Sequence, residues 1–279
     1  MRRSSRRRQV QRVVAILVVA AITLVILFPL IWIVSFSLRS NAQLLASPSL
    51  IPPRPTLQNY VEMWDVAPFA TFFRNSAIVG VATVVATLAL ATPAGYALSR
   101  YPFRGRQGMT FLLVFLQVLP GVVLIVPMYL LARRVGLYNS LPGLIVVYTG
   151  LSLSFTMLLA RGFFGQVQRE LEEAALVDGA TRFQAFRQIA LPLIRPGILA
   201  LATFVFIGAW EEFVLALTLT NRADVRTVPI GFSYFFQQYQ SNYTGVMAAS
   251  VVSIIPVLVL FFAIGRGFIR GIASGGVKG

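Results

Sequence analysis

Any chemistry in this chain must start from its carboxylates, and these are few: Asp and Glu together number nine in 279 residues. Three of them stand out by position. Glu173 lies in the polar run RELEEAALVDGATRFQAFRQIALPLIRPGI, and Glu211 and Glu212 sit side by side inside an apolar stretch. There is no histidine and no cysteine beside them. That removes imidazole acid–base chemistry, thiolate nucleophiles, structural disulfides and the usual zinc ligand sets. A phosphate-binding loop of the form G-x4-G-K-S/T is also missing, so the chain is not expected to hydrolyse ATP itself. Hydrogen bonding and charge pairing are what these carboxylates can offer. No catalytic residue, metal site or cofactor is expected within the chain.

The elements that must position them are membrane helices. The chain is 57% hydrophobic and only 12% charged, with mean hydropathy +0.77. Its apolar residues come in blocks long enough to cross a hydrocarbon core, which takes about 20 residues of helix. Six blocks are read, at Val13–Leu38, 75–99, 109–132, 141–160, 197–219 and 244–265. The expected fold is all-α, a polytopic membrane protein with six transmembrane helices. The first block exceeds the 7–15 apolar residues of a signal peptide and has no convincing small-residue cleavage site, so it reads as an uncleaved helix. Breakers such as Pro120, Gly121 and Pro127 in the third block are tolerated in membrane helices when neighbours re-satisfy the freed carbonyls.

Arg and Lys positions orient the chain. With the N-terminus cytoplasmic, 17 of the 24 basic residues fall inside, in segments 2–12, 100–106, 161–195 and 266–278. This bias places both termini in the cytoplasm. It divides the chain into a basic cytoplasmic N-terminus (1–12), a first helix (13–38), an extracytoplasmic segment (39–74), a core with five further helices (75–270) and a cytoplasmic tail (271–279). Within the core, 161–196 becomes a cytoplasmic loop. The segment ending at Phe73-Arg74 is expected to carry a short interfacial helix. The net charge of +15 could suggest nucleic acid, but most Arg residues flank apolar blocks, and no nucleic-acid partner is expected.

The 161–196 loop reads as two short helices. Residues from Glu172 to Val177 favour helix, Gly179 interrupts, and Thr181 with Gln184 has the form of a capping box that opens the second helix. Phe183, Phe186 and Ile189 recur at a spacing of three and give that helix an apolar face. Pro192 and Pro196 are expected to end it. Leu176, Val177, Phe183 and Phe186 together suit a docking surface, or equally a face packed on the protein's own helix ends or lying on the membrane interface. Glu211 and Glu212 are costly in a membrane and are expected to face a protein interior or an aqueous cavity, either lining a path or holding helices together. Trp32, Tyr129 and Tyr148 need no explanation beyond interfacial preference and packing.

Glu173-Ala174-Ala175, Gly179, Ile189, Leu191 and Pro192 fit the pattern E-A-A-x3-G-x9-I-x-L-P. This resembles the signature of membrane subunits of bacterial ABC importers. Gly95-Tyr96-Ala97-Leu98 with Arg100, Phe103 and Arg106 resembles the end of the second core helix of carbohydrate-type permeases. Trp210-Glu211-Glu212-Phe213 is similar to their W-N-E-F pattern, with Glu211 where Asn is commoner. The tail from Gly275 to Gly279 is similar to that of the smaller maltose-transporter permease type. The resemblance spans essentially the whole chain and implies a type I importer permease fold in the bacterial inner membrane. It also implies partners: a second permease, two ATPase subunits that bind ATP and Mg, an extracytoplasmic sugar-binding protein, and membrane lipid.

By that resemblance, Glu173, Ala174, Ala175, Gly179, Leu191 and Pro192 would couple to the ATPase, with Glu173 making the charged contact. Gln117 and Gly121, with Glu211 and Glu212, are candidates for the substrate path. Oligosaccharides such as maltodextrin or trehalose are the expected solutes. A glycerophosphodiester or polyamine importer is the alternative within the class. Outside it stand a secondary transporter, which would often show paired repeats and a midplane ion site, and a membrane scaffold, which has no use for the E-A-A spacing.

Overall fold

In hydrocarbon every backbone N–H and C=O must be satisfied within the segment that carries it, so apolar blocks of this length become helices. The computed structural model describes residues 2–46, 49–236 and 242–275, with side chains described for 11–44, 49–236 and 242–263. Pro48 and residues 276–279 of the tail motif lie outside the described residues. Helix α1 (Arg2–Ser37) is followed by the short helices α2 (Asn41–Ala46) and α3 (Gln58–Val66). Then come α4 (Phe69–Arg100), α5 (Arg106–Val118), α6 (Gly121–Arg134) and α7 (Leu141–Gly165). The remainder is α8 (Arg169–Val177), α9 (Arg182–Ala185), α10 (Leu191–Leu193), α11 (Arg195–Glu211), α12 (Val214–Leu219), α13 (Val228–Gly231) and α14 (Tyr243–Gly275). Among the described residues, four helices are long and apolar enough to span a membrane, and the count reaches six if each of two bent pairs is one span.

The chain divides into two compact units, Met1–Ala67 with Tyr234–Ile255, and Pro68–Ser233 with Pro256–Gly279. In the first, the turn after α1 is fastened by Asn59, whose amide donates to the carbonyls of Ser37 (2.7 Å) and Arg39 (2.6 Å). Thr244 Oγ1 lies 3.1 Å from Asn59 Oδ1 and 3.0 Å from Asn41 Oδ1, tying the start of α14 to the same knot. Arg39, which follows the first apolar block, is fully buried, with its guanidinium 4.8 Å from the Phe36 ring centre.

The second unit is built on α4 packed along α7, with α11 in contact with both. The contact is made close by small residues: a Cβ added at Gly95 would stand 2.7 Å from Ala160 Cβ and 2.9 Å from the Arg161 backbone nitrogen. Without a hydrophobic force between helices in lipid, such backbone approach supplies much of the packing. Helix α4 begins at Phe69 rather than near 75, because Phe69 and Phe72 are fully buried and extend its packed face. Phe73 and Arg74 therefore belong to this helix, and the segment before it carries the short helices α2 and α3.

The third apolar block is two helices, α5 and α6, meeting at 101°. Pro120 forces its predecessor Leu119 into an extended conformation (ψ 125°) and lacks an N–H, so the helix stops and restarts there. The fifth block is likewise broken, α11 ending at Glu211 and α12 beginning at Val214.

Gly95→Val should lower the thermal stability of the detergent-purified protein by about 1–3 kcal/mol, the usual cost of overpacking. Gly150 in α7 faces open space, and Gly150→Ala should leave the melting temperature unchanged or slightly raised.

Candidate functional site

The loop between α7 and α11 is shaped by its backbone chemistry. Glu170 and Glu172 stand in the first turn of α8, where negative charge suits the helix dipole. At its other end Gly179 N–H donates to Leu176 O (3.1 Å) and Ala180 N–H to Ala175 O (2.9 Å). Those two bonds are a Schellman cap, which needs a left-handed residue. Gly179 provides it at φ +92°. A side chain there would meet nothing within 4 Å, so conformation rather than crowding calls for glycine. The Thr181–Gln184 capping box forms as its spacing predicts, with Gln184 N–H donating to Thr181 Oγ1 (3.2 Å) and Thr181 N–H to Gln184 Oε1 (2.7 Å).

Pro192 does not end the second helix. The chain passes from α9 through a π-helical turn, Phe186–Ala190, into α10, which contains Pro192, and bends at Ile194. In the wider turn Leu191 N–H reaches Phe186 O, and the local re-pairing accommodates a residue that has no N–H to give. The bend into α11 is 75°.

The inner side of the loop closes on the end of α4. Tyr96 packs its ring against Phe164 (5.1 Å between centres) and Phe186 (4.8 Å), beside buried Ala190 and Ile194. Above this apolar seat lies a polar lock. Tyr96 O–H donates to Glu172 Oε2 (2.6 Å), and Arg100 Nε to Glu172 Oε1 (2.8 Å). Arg100 Nη2 is 2.7 Å from the same oxygen and also donates to Val167 O (2.9 Å). Both charged side chains are 8% exposed. A buried pair of this kind adds little over apolar residues, but stripping one partner leaves an uncompensated charge and costs about 3–5 kcal/mol.

The outer side is different in character. Glu173 and Ala174 are exposed, as are Val177 (87%) and Phe183 (66%). Phe186, grouped with them by periodicity, turns inward onto Tyr96 and Phe164 instead. Ala175 and Leu191 are half-buried, the latter against the Tyr96 cluster, and Pro192 is exposed. A cleft of about 370 Å³ opens beside α8, lined by Arg100, Tyr101, Arg169, Glu173 and Arg182 among others. Arg182 holds its guanidinium 5.4 Å from the Tyr101 ring centre.

Glu211 and Glu212 belong elsewhere. Tyr148 O–H donates to Glu212 Oε2 (2.9 Å), and Tyr148 lies 16 residues, about 24 Å along a helix, from Phe164 at the loop end of α7. Glu212 is half-buried and also accepts from the N–H groups of Leu215 and Ala216, whereas Glu211 is exposed. Gln117 and Gly121 flank the α5–α6 bend and are both exposed. Tyr148 itself is buried and bonded, more than an interfacial ring. Sequence reasoning missed Tyr148, and it missed Glu172 with its two partners, Tyr96 and Arg100. One signal was available: Glu172 and Glu173 are neighbours on a helix and cannot face the same way.

The family model described as binding-protein-dependent transport system inner membrane component matches residues 88–274. The chain belongs to this family. It is 35% identical to the diacetylchitobiose uptake system permease protein DasC of Streptomyces coelicolor, over 91% of this chain and 92% of that protein. To the trehalose/maltose transport system permease protein MalG of Thermococcus litoralis it is 30% identical, over 98% and 99%. Its fold matches a chain in the crystal structure of a bacterial ABC transporter involved in the import of the acidic polysaccharide alginate. There the TM-score is 0.80 at 24% identity, covering 93% of this chain and 97% of that one. As a member of the binding-protein-dependent family, the chain is a multi-pass permease subunit of a carbohydrate-type ABC importer in the bacterial inner membrane. It is a transport component rather than an enzyme.

Arg100→Met should loosen α8 from α4 and accelerate tryptic cleavage at Arg169 and Arg182 in the folded protein. The double variant Arg100→Met/Glu172→Met should recover much of the protection, because it leaves no buried charge unpaired.

Proposed function

We propose that this permease carries an oligosaccharide such as maltose, maltodextrin or trehalose, and that ATPase subunits drive it through the 161–196 loop. The observation that carries the coupling part is the two-sidedness of α8. Its inner carboxylate, Glu172, is locked to Arg100 and Tyr96 of α4, while Glu173, Ala174 and Val177 stand exposed, as does Phe183 of the neighbouring α9. An apolar patch with one carboxylate at its edge suits a cleft in a partner protein. In this reading Glu173 makes the charged contact with the ATPase, Ala174 and Ala175 keep the helix thin, and the Gly179 cap fixes the turn. Leu191 and Pro192 shape the passage into α11. Movement of the ATPase pair, powered by ATP and Mg held in those subunits, then reaches α4 through the Glu172 lock.

The arginine bias sets both termini and this loop in the cytoplasm. A second, related permease completes the path, and an extracytoplasmic binding protein delivers the sugar. Gln117, Gly121 and Glu211, exposed at breaks in the third and fifth spans, are the path-lining candidates. The disaccharide part of the reading is supported by the trehalose/maltose relative, which matches nearly end to end. A second solute has support as well: the more identical DasC is a diacetylchitobiose permease.

Reconstituted with its partner subunits and binding protein in liposomes, the importer should take up labelled maltodextrin or trehalose only when ATP is supplied. Glu173→Ala should reduce uptake about tenfold or more, as deleting one partner of a hydrogen-bonded interfacial charge pair does. Competition by diacetylchitobiose alone would move the substrate to that sugar. Full coupling in Glu173→Ala would move the contact elsewhere on the loop.

A further inference from the structure

Two adjacent carboxylates in a membrane segment are an expense, and here they have separate surroundings. Helix α11 stops at Glu211, Glu212 is extended (ψ 119°), and α12 starts at Val214. A restarted helix presents N–H groups without intrahelical partners. Phe213, at the position where Ser, Thr, Asp or Asn would normally cap, has no side-chain acceptor. The residue before it takes over. Glu212 Oε1 accepts from Leu215 N–H and Oε2 from Ala216 N–H, both at 2.9 Å. Tyr148 O–H gives the same carboxylate a third donor, from α7.

These bonds fix the break. The side of α12 that Glu212 caps is anchored in the core, since Leu215, Ala216 and Leu219 are buried. With the break fixed, the neighbouring carboxylate is forced outward, and Glu211 is exposed. An ionisable side chain cannot rest against hydrocarbon, so it must meet water or a polar partner. A carboxylate has only acceptors to offer, and a sugar presents hydroxyl donors.

We propose that Glu212 is a positioning residue whose capping of α12 holds Glu211 turned to the solute path, where Glu211 accepts hydrogen bonds from sugar hydroxyls. This rests on the sugar-importer reading above. It assigns unlike roles to two carboxylates that the sequence presents as a pair. Tyr148 acts through Glu212, from α7.

Because the chain has no cysteine, single thiols report directly. Glu211→Cys, in the assembled importer in membranes, is treated with a charged, membrane-impermeant thiol reagent and compared with Val25→Cys on α1. Glu211→Cys should react at least about tenfold faster, because the thiolate the reagent needs is suppressed in hydrocarbon. Transported sugar delivered by the loaded binding protein with ATP should slow it. Adding Glu212→Ala should cut the Glu211→Cys rate by roughly two- to thirtyfold, the range spanned by losing one helix cap. Glu212→Gln should fall between, and Tyr148→Phe should act more weakly in the same direction. These last two keep the test open if Glu212→Ala fails to assemble. An unchanged rate in all assembled Glu212 and Tyr148 variants would overturn the positioning role and leave the path reading intact. An unreactive Glu211→Cys in an importer that still transports would overturn the path reading itself.

Discussion

The buried pair of Arg100 and Glu172 is the contact on which the organisation of this permease depends. It joins a membrane-length helix to a nine-residue helix that has few other ways to hold its position. A helix that short is marginal by itself in water. Its stability comes from a Schellman cap behind it, the Tyr96 cluster beneath it and the ion pair at its front. The ion pair supplies direction more than net energy, since a carboxylate with three matched donors has one good position. It turns Glu172 in and Glu173 out, and that division gives α8 one face bound to its own chain and another left exposed.

From this end of the unit, α4 and α7 run as close-packed rods to the other. Small residues at Gly95 and Ala160 let the backbones touch, and an interface of that kind transmits displacement with little slack. About 24 Å along α7, Tyr148 meets Glu212 at the α11–α12 break. The exposed face of α8 and the break are therefore connected through packed, continuous helices. A second carboxylate lock, with hydroxyl and backbone donors in place of a guanidinium, sets the local geometry there. Adjacent glutamates are used twice, in each case with one bound inward and one left exposed.

Local sequence made much of this legible. Block length gave the spans, the polar stretch between the fourth and fifth blocks located the loop, and Thr181 with Gln184 announced the start of α9. Gly179 was readable as a turn because a Schellman cap has a strong demand at one residue. The features that escaped depend on three-dimensional neighbours. Which glutamate of Glu172 and Glu173 is buried depends on where α4 ends, at Arg100, 72 residues before Glu172 in the chain. Pro120 was visible as a breaker, but a 101° bend rather than a kink follows from how α5 and α6 pack. Pro192 looked like a terminator until the π-helical turn before it relieved its missing donor. Tyr148 passed for an interfacial ring, since its only distinguishing mark is a partner 64 positions away.

The central claim, that α8 moves with α4 because Glu172 is locked to Arg100, is tested most directly by a distance. Spin labels at Val177→Cys on α8 and Phe103→Cys just beyond α4, both exposed, can be followed in the reconstituted importer as ATP binds and is hydrolysed. One narrow distance distribution that does not shift through the cycle, and that broadens in Arg100→Met, is expected. A wild-type distance that changes as the ATPase pair closes, or that is indifferent to Arg100→Met, would contradict it.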